Sequence, residues 1–193
     1  MEKSNFIFDL YKDNRTVFTI NEIALLIKES DYSRLKQKVY YYAKKGVIQK
    51  VRNGIYVKQG YNPEELASKL YTPSYISLEY VLSKAGWIFQ YSKNITLISY
   101  LSRTLEVDNN TLCYRKAKAD ILINSEGVIQ KDNGVSIASP ERAFLDMLYL
   151  DKNFYFDNLS GMNESVVLKL LNVYKSASLN KRVKEKLNNI KDV

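Results

Sequence analysis

Apolar residues recur along this chain with two different periods, and the change of period divides it. From Phe6 to Tyr11 they fall at Phe6, Ile7 and Leu10, a short helical stripe. In the stretch FTINEIALLIKES, Ile20, Ile23, Ala24 and Ile27 keep helical spacing behind Thr19, with Glu22 three residues on. Thr and Glu at that spacing form a capping box, which predicts a helix over 19–29. DYSRLKQKVYYYAKKG predicts a second helix over 32–45, entered through a short turn at Ser30 and Asp31 and ended by Gly46. VIQKV and IYVK are short β-type runs joined at Asn53-Gly54, the dipeptide that most favours a two-residue hairpin. Val51 and Tyr56 are expected to pair across that hairpin and pack it to the core. Three helices and a hairpin in this order match a winged helix-turn-helix, with 19–29 and 32–45 as the helix pair and 47–58 as the wing.

Beyond the hairpin the texture changes. QGYNPEEL reads as a linker over 61–72, with Pro63 opening a short helix or turn. SYISLEYVLSKAGW has the pattern of an amphipathic helix ending at Gly86. ITLISYL, TLEV, TLCYRKA and ILINSEG then alternate β-formers with Asn, Asp and Gly turns, and GVSIA is a last strand. Ser139 as N-cap and Pro140 at the first helical position open a helix, and two more helices, over 163–174 and 178–190, close the chain. The expected fold is α+β: an N-terminal winged helix-turn-helix over 1–60, the 61–72 linker, and a larger mixed α/β C-terminal domain over 73–193.

Composition narrows the chemistry. The chain of 193 residues contains no histidine, and Cys113 is its only cysteine. Ser-His-Asp and Cys-His catalysis, zinc fingers and a disulfide framework are therefore excluded. Seven scattered glycines leave no room for a P-loop or a G-x-G-x-x-G turn. No cofactor or metal and no enzymatic activity are expected. The start, Met1 to Asn5, does not resemble a signal peptide, and no apolar run approaches the roughly 18 residues that span a bilayer. The expectation is a cytoplasmic protein with no membrane partner.

Charge changes the picture most. The net charge of +8 is unevenly distributed, since residues 31–60 hold eight basic groups against Asp31 alone, a net of +7. Residues 174–193 carry a further net of +4. A basic excess concentrated in thirty residues suggests a face for a polyanion. On the 32–45 helix, Leu35, Val39 and Tyr42 form the stripe expected to be buried, and Tyr40 covers the flank. Ser33, Arg34, Gln37, Tyr41 and Lys44 share the opposite face, flanked by Lys36, Lys38 and Lys45. Arg and Gln can make bidentate bonds to guanine and adenine edges, whereas lysines suit phosphate. Tyr41 can meet a thymine methyl or a phosphate. Arg52 and Asn53 at the hairpin tip would reach backbone or minor groove. The predicted DNA-binding set is Ser33, Arg34, Gln37, Lys38, Tyr41, Lys44, Lys45, Arg52 and Asn53.

The second half shows no catalytic constellation. Glu79, Asp120, Glu141 and Asp146 read as surface or capping acids. Tyr114, Arg115, Lys116 and Lys118 read as a solvated strand edge that discourages aggregation.

The order of motifs resembles a known family. FTINEIALLI, KKGVIQKVRNGIYV, SYISLEYVLSKAGW, ITLIS and ASPERAFLDMLYL are together similar to the AbiE-type abortive-infection antitoxins of bacterial type IV toxin–antitoxin systems, over nearly the whole chain. The resemblance implies a bifunctional protein of phage defence. Its winged helix would repress its own operon at inverted repeats in double-stranded operator DNA. Its C-terminal domain would neutralise a cognate nucleotidyltransferase-like toxin, through residues no short motif defines. Three alternatives stay open: a stand-alone winged-helix regulator, an interaction module that sequesters a partner directly, or an RNA-binding or RNA-modifying protein, since tyrosines interleaved with lysines can stack on bases.

Overall fold

The computed structural model describes residues 6–90 and 93–191, with side chains to residue 188; the start of the chain, Met1 to Asn5, lies outside them. It is a mixed α+β structure that divides into two units, 1–70 and 71–193.

In the first unit the order is α1 (Phe6–Lys12), β1 (Val17–Thr19), α2 (Ile20–Leu26), α3 (Tyr32–Lys44), β2 (Ile48–Arg52), β3 (Ile55–Lys58) and α4 (Pro63–Leu70). The capping box forms as expected: the Glu22 N–H donates to Thr19 Oγ1 at 3.2 Å, and the Thr19 N–H donates to Glu22 Oε2 at 2.6 Å. Asp31 caps α3 by accepting from the Ser33 and Arg34 N–H groups at 2.8 and 3.1 Å. The three strands pair antiparallel in the order β1-β3-β2.

Alternation along these strands assigns the two faces of the sheet. Phe18, Ile48 and Tyr56 turn to one face and join Phe6, Leu10, Ile23, Ile27, Leu35 and Val39 from the helices in one core. Val17 and Val57, directly paired and both fully buried, point to the other face. The stretch expected to be a linker holds α4, which packs against β1 and buries Leu66 and Ala67. Its Glu65 carboxylate accepts from the Thr16 N–H at 2.6 Å, the Thr16 hydroxyl at 2.9 Å and the Val17 N–H at 3.1 Å. The chain therefore divides at Leu70, after a helix that closes the N-terminal core.

The second unit contains β4 (Ser74–Ile76), α5 (Glu79–Lys84), β5 (Ile95–Ser99), β6 (Arg103–Val107), β7 (Asn110–Lys116), α6 (Ala119–Ile123), β8 (Val128–Gln130), β9 (Ser136–Ala138), α7 (Pro140–Leu150), α8 (Glu164–Leu170), a 3-10 turn (Leu171–Val173) and α9 (Ala177–Lys191). Its six strands lie in the order β6-β7-β5-β4-β9-β8, with β5·β7 and β4·β9 parallel. Several expectations change here. SYISLEYVLSKAGW is not one helix: its first three residues, Ser74–Ile76, are a strand paired with β5, and Leu78 at φ 61° breaks that strand from α5. Ile121–Ile123, read as strand, belongs to α6. The Tyr114–Lys116 stretch is not at an edge, since β7 lies between β6 and β5 and Tyr114 is buried.

The greatest departure is at Asp146, expected on the surface and instead fully enclosed. Seven consecutive residues of α7, Arg142 to Leu148, are buried. A helix apolar on all sides would be ordinary there, but this one carries an ion pair. Arg142 Nε donates to Asp146 Oδ1 at 3.4 Å, with both side chains out of solvent. Asp146 also accepts hydroxyls from Tyr174 (2.6 Å), Ser77 (2.7 Å) and Tyr75 (3.0 Å). Arg142 donates onward to the carbonyls of Ile121 and Glu126, each at 2.7 Å, and to the Tyr75 hydroxyl at 2.9 Å. Burial pushes the Asp146 carboxyl up, against the pull of Arg142 and the three hydroxyls. Gly127, at φ +72°, admits this packing, because a Cβ there would lie 3.0 Å from both Arg142 Cβ and Leu170 Cδ1.

Two outcomes follow for stability. Arg142→Met strands the Asp146 carboxyl and costs about 3–5 kcal/mol in urea unfolding, while Arg142→Met/Asp146→Leu recovers part of that loss. In the first unit, burial raises the Glu22 carboxyl, but Lys69 at 2.6 Å and the Thr19 N–H outweigh it and hold it below its ordinary value of 4.5. A depressed carboxyl contributes stability present above that value and lost as pH falls through the folded-state pKa. Glu22→Gln therefore destabilises the first unit at neutral pH, and its difference from wild type shrinks in acid.

Candidate functional site

The nine predicted residues all lie in the first unit and all are exposed. Helix α3 and its C-cap present seven of them, and the hairpin presents Arg52 and Asn53; the N-cap and apolar stripe of α3 fix its rotation. Leu35 and Val39 are each 1% exposed, and Tyr42 stacks on Phe6 with centroids 4.1 Å apart and planes 7° from parallel. At about 100° per residue this turns Arg34 and Lys38 to one side, Ser33, Gln37 and Lys44 outward, and Lys36 and Tyr40 to the other side.

The outer charges differ in their partners. Arg34 Nε lies 3.4 Å from Asp31, and Lys38 Nζ donates to Glu29 at 2.6 Å. The Lys38 ammonium in turn depresses the Glu29 carboxyl, and the Arg34 N–H depresses Asp31. Lys45 lies 4.6 Å from the Tyr41 ring centroid, and that tyrosine raises its pKa. Tyr41 also meets Tyr42 edge-on at 5.2 Å. Among the described residues, the side chains of Ser33, Gln37, Lys44 and Asn53 have neither a hydrogen bond nor an ion pair. Arg52 Nη1 reaches back to the Leu70 carbonyl at 3.5 Å.

The hairpin differs from expectation in register. Of Asn53 and Gly54 only Gly54 is left-handed, at φ +77°, whereas a type I′ turn, a common form of the two-residue hairpin, needs both. The pairing slips by one residue between Lys50 and Arg52, so Tyr56 lies opposite Lys50 rather than Val51. The slip turns Lys50 to the same face as Tyr56, toward α3. The tip is tied down as well, because the Ile20 N–H donates to the Gly54 carbonyl at 2.9 Å.

Between α3 and the hairpin lies a cleft of about 460 Å³, lined in part by Tyr32, Lys36, Tyr40, Lys50 and Tyr56. None of these belongs to the predicted set, although Asn53 also lines the cleft. The helical stripe Tyr32, Lys36, Tyr40 is visible in the sequence; the opposing Lys50 depends on the slip.

The described residues hold no group of three or more His, Cys, Asp or Glu side chains placed to bind a metal, and no helix long and apolar enough to cross a membrane. No protein-family model matches the chain, and no curated protein matches it.

A Cβ at Gly54 would meet nothing within 4 Å, so Gly54→Ala carries only the backbone penalty of the left-handed region, about 1–2 kcal/mol. Thermal unfolding of the variant measures it.

Proposed function

We propose that this chain is a DNA-binding transcriptional repressor and antitoxin that acts without catalysis. The first unit binds inverted repeats of double-stranded operator DNA as a winged helix-turn-helix, with α2 and α3 as the helix pair and β2–β3 as a short wing. The second unit neutralises a cognate nucleotidyltransferase-like toxin, in keeping with the family resemblance of the motif order. The observation that carries the DNA reading is the exposed face of α3, which sets Gln37 and Lys44 free of internal partners beside a basic hairpin. The element order and the β1-β3-β2 sheet support it further.

In this reading α3 enters the major groove. Gln37 offers its amide to adenine and Arg34 its guanidinium to guanine. Arg34 must first leave Asp31, and a pair this exposed to solvent holds it only weakly. Lys38, Lys44 and Lys45 neutralise phosphates and fix register, Ser33 adds a hydroxyl donor, and Tyr41 meets a thymine methyl or a phosphate. Arg52 and Asn53 touch the backbone from the hairpin.

A gel shift on the promoter of its own operon tests the reading. Arg34→Ala and Gln37→Ala are each expected to weaken binding by about 1–3 kcal/mol and relax specificity at one position. Lys44→Ala is expected to weaken binding to all sequences and reduce the salt slope by about 1. If these variants and Arg52→Ala all bind like wild type at physiological salt, α3 does not read the operator.

A further inference from the structure

The cleft between α3 and the hairpin has a chemistry that base-pair reading does not use. Three phenol rings stand in its walls, Tyr32 and Tyr40 from the helix and Tyr56 from β3. Tyr32 is 53% and Tyr40 70% exposed, an unusual degree for large aromatic side chains. Among the described residues, none of the three is engaged in a ring–ring contact with another aromatic. Tyr40 thus offers an open ring to a planar group, beside a Tyr32 ring that carries Lys36 over it and a Tyr56 ring half-buried against the core.

The charge of the cleft is one-signed. Lys36 enters from the helix and Lys50 from β2, and no carboxylate is among the lining residues. Neither ammonium has an ion pair or hydrogen bond among the described residues; Lys36 rests 4.4 Å from the Tyr32 ring centroid. Ile20 and Ala43 add apolar surface, and Asn53 adds an amide with both donor and acceptor. The volume, about 460 Å³, falls in the range of sites for compact ligands, about 300–1,000 Å³. A ligand that satisfies these walls is flat at one end, anionic at the other and able to hydrogen-bond along an edge.

We propose that this cleft binds one unpaired nucleotide, its base laid against the tyrosine rings and its phosphate held between Lys36 and Lys50. The base must be unpaired, because within a duplex both of its faces are already stacked on neighbouring pairs. Aromatic platforms beside lysines are how single strands are held without sequence preference. The nucleotide comes either free in solution or as part of a single strand, since both present the same base and phosphate. The site stands independently of operator reading: its rings and lysines lie outside the set that would contact the major groove, and the two sites meet only at Asn53.

Fluorescence and calorimetric titrations of the full chain test this with adenosine monophosphate, adenosine and a short single-stranded oligothymidylate. Adenosine monophosphate binding at least tenfold tighter than adenosine assigns the site to free nucleotides. Oligothymidylate binding without adenosine monophosphate binding assigns it to strands. In either case Tyr40→Ala weakens binding about tenfold or more, and Lys36→Gln and Lys50→Gln each weaken it and flatten its salt dependence. Tyr40, Lys36 and Lys50 are exposed, so the variants keep the wild-type circular dichroism spectrum. Absence of binding by both phosphorylated probes overturns the proposal, as does adenosine binding as tight as its monophosphate, or binding indifferent to all three substitutions. A parallel gel shift on duplex operator separates the readings, because loss of duplex binding with nucleotide binding intact defeats the repressor alone.

Discussion

A guanidinium with no exposed surface holds the second unit together. Arg142 could not be buried without satisfying its donors, and Asp146 could not be buried charged without a cation and several hydroxyls. Each requirement recruits a different part of the chain. Tyr75 and Ser77 come from β4 and its end, Ile121 and Glu126 from α6 and the turn after it, and Tyr174 from the end of the 3-10 turn between α8 and α9. These contacts span sequence separations from 4 to 71 residues. The order of strands around α7 is consistent with this single demand, since β4 and β9 must lie side by side in register at Ile76 and Ile137 while the helix that follows β9 presents Arg142. Removing both charges would still leave the hydroxyls of Tyr75, Ser77 and Tyr174 and the carbonyls of Ile121 and Glu126 without these partners, so an apolar pair restores only part of what the loss of Arg142 alone costs. The pair ties the choice of which elements meet to one set of hydrogen bonds.

The first unit meets the opposite problem, a sheet too small to have an interior. Three short strands survive because both faces are covered, Phe18 and Tyr56 by the helices and Val17 by α4. Glu65 then supplies acceptors for the N–H groups at the start of β1, which no neighbouring strand reaches. With the sheet clamped on both sides and Gly54 bonded to Ile20, the hairpin has a fixed position against α3, and a cleft between them keeps its shape.

Legibility in the sequence followed how local the determining interactions are. The capping box at Thr19, the Asp31 cap, the Ser139-Pro140 start and the stripe Leu35, Val39, Tyr42 are set within one or two helical turns, and the helices they mark start where the pattern puts them, although α2, expected to run to residue 29, ends at Leu26 ahead of Lys28 at φ 52°. Strands β1 and β4 and helix α6 are three to five residues long, too short for any period to declare itself. Their conformation is imposed by partners far along the chain, the Arg142 bonds to Ile121 and Glu126 among them. Asp146 looked like a surface acid for the same reason, as two of its hydroxyl donors lie about seventy residues away. At the candidate site the exposed face of α3 was readable, because it is the complement of a readable core stripe. The cleft was not, because a one-residue slip beside Gly54 decides whether Val51 or Lys50 faces Tyr56.

That slip also redistributes the charge on which any polyanion would act. Residues 31–60 look uniformly basic in sequence, yet the structure sorts their cations by partner. On the side of α3 that carries Arg34 and Lys38, Asp31 and Glu29 neutralise both groups. Across the helix, Lys36 and Lys50 face one cleft without an acid among its lining residues. The Arg34–Asp31 pair is exposed on both sides and exchangeable with a competing phosphate at small cost, whereas Lys38 is held at 2.6 Å by a Glu29 side chain only 14% exposed. Lys44, on the outward face between the two sides, has like Lys36 and Lys50 no ion pair among the described residues, so the cations without an acid partner run from the cleft across the front of α3.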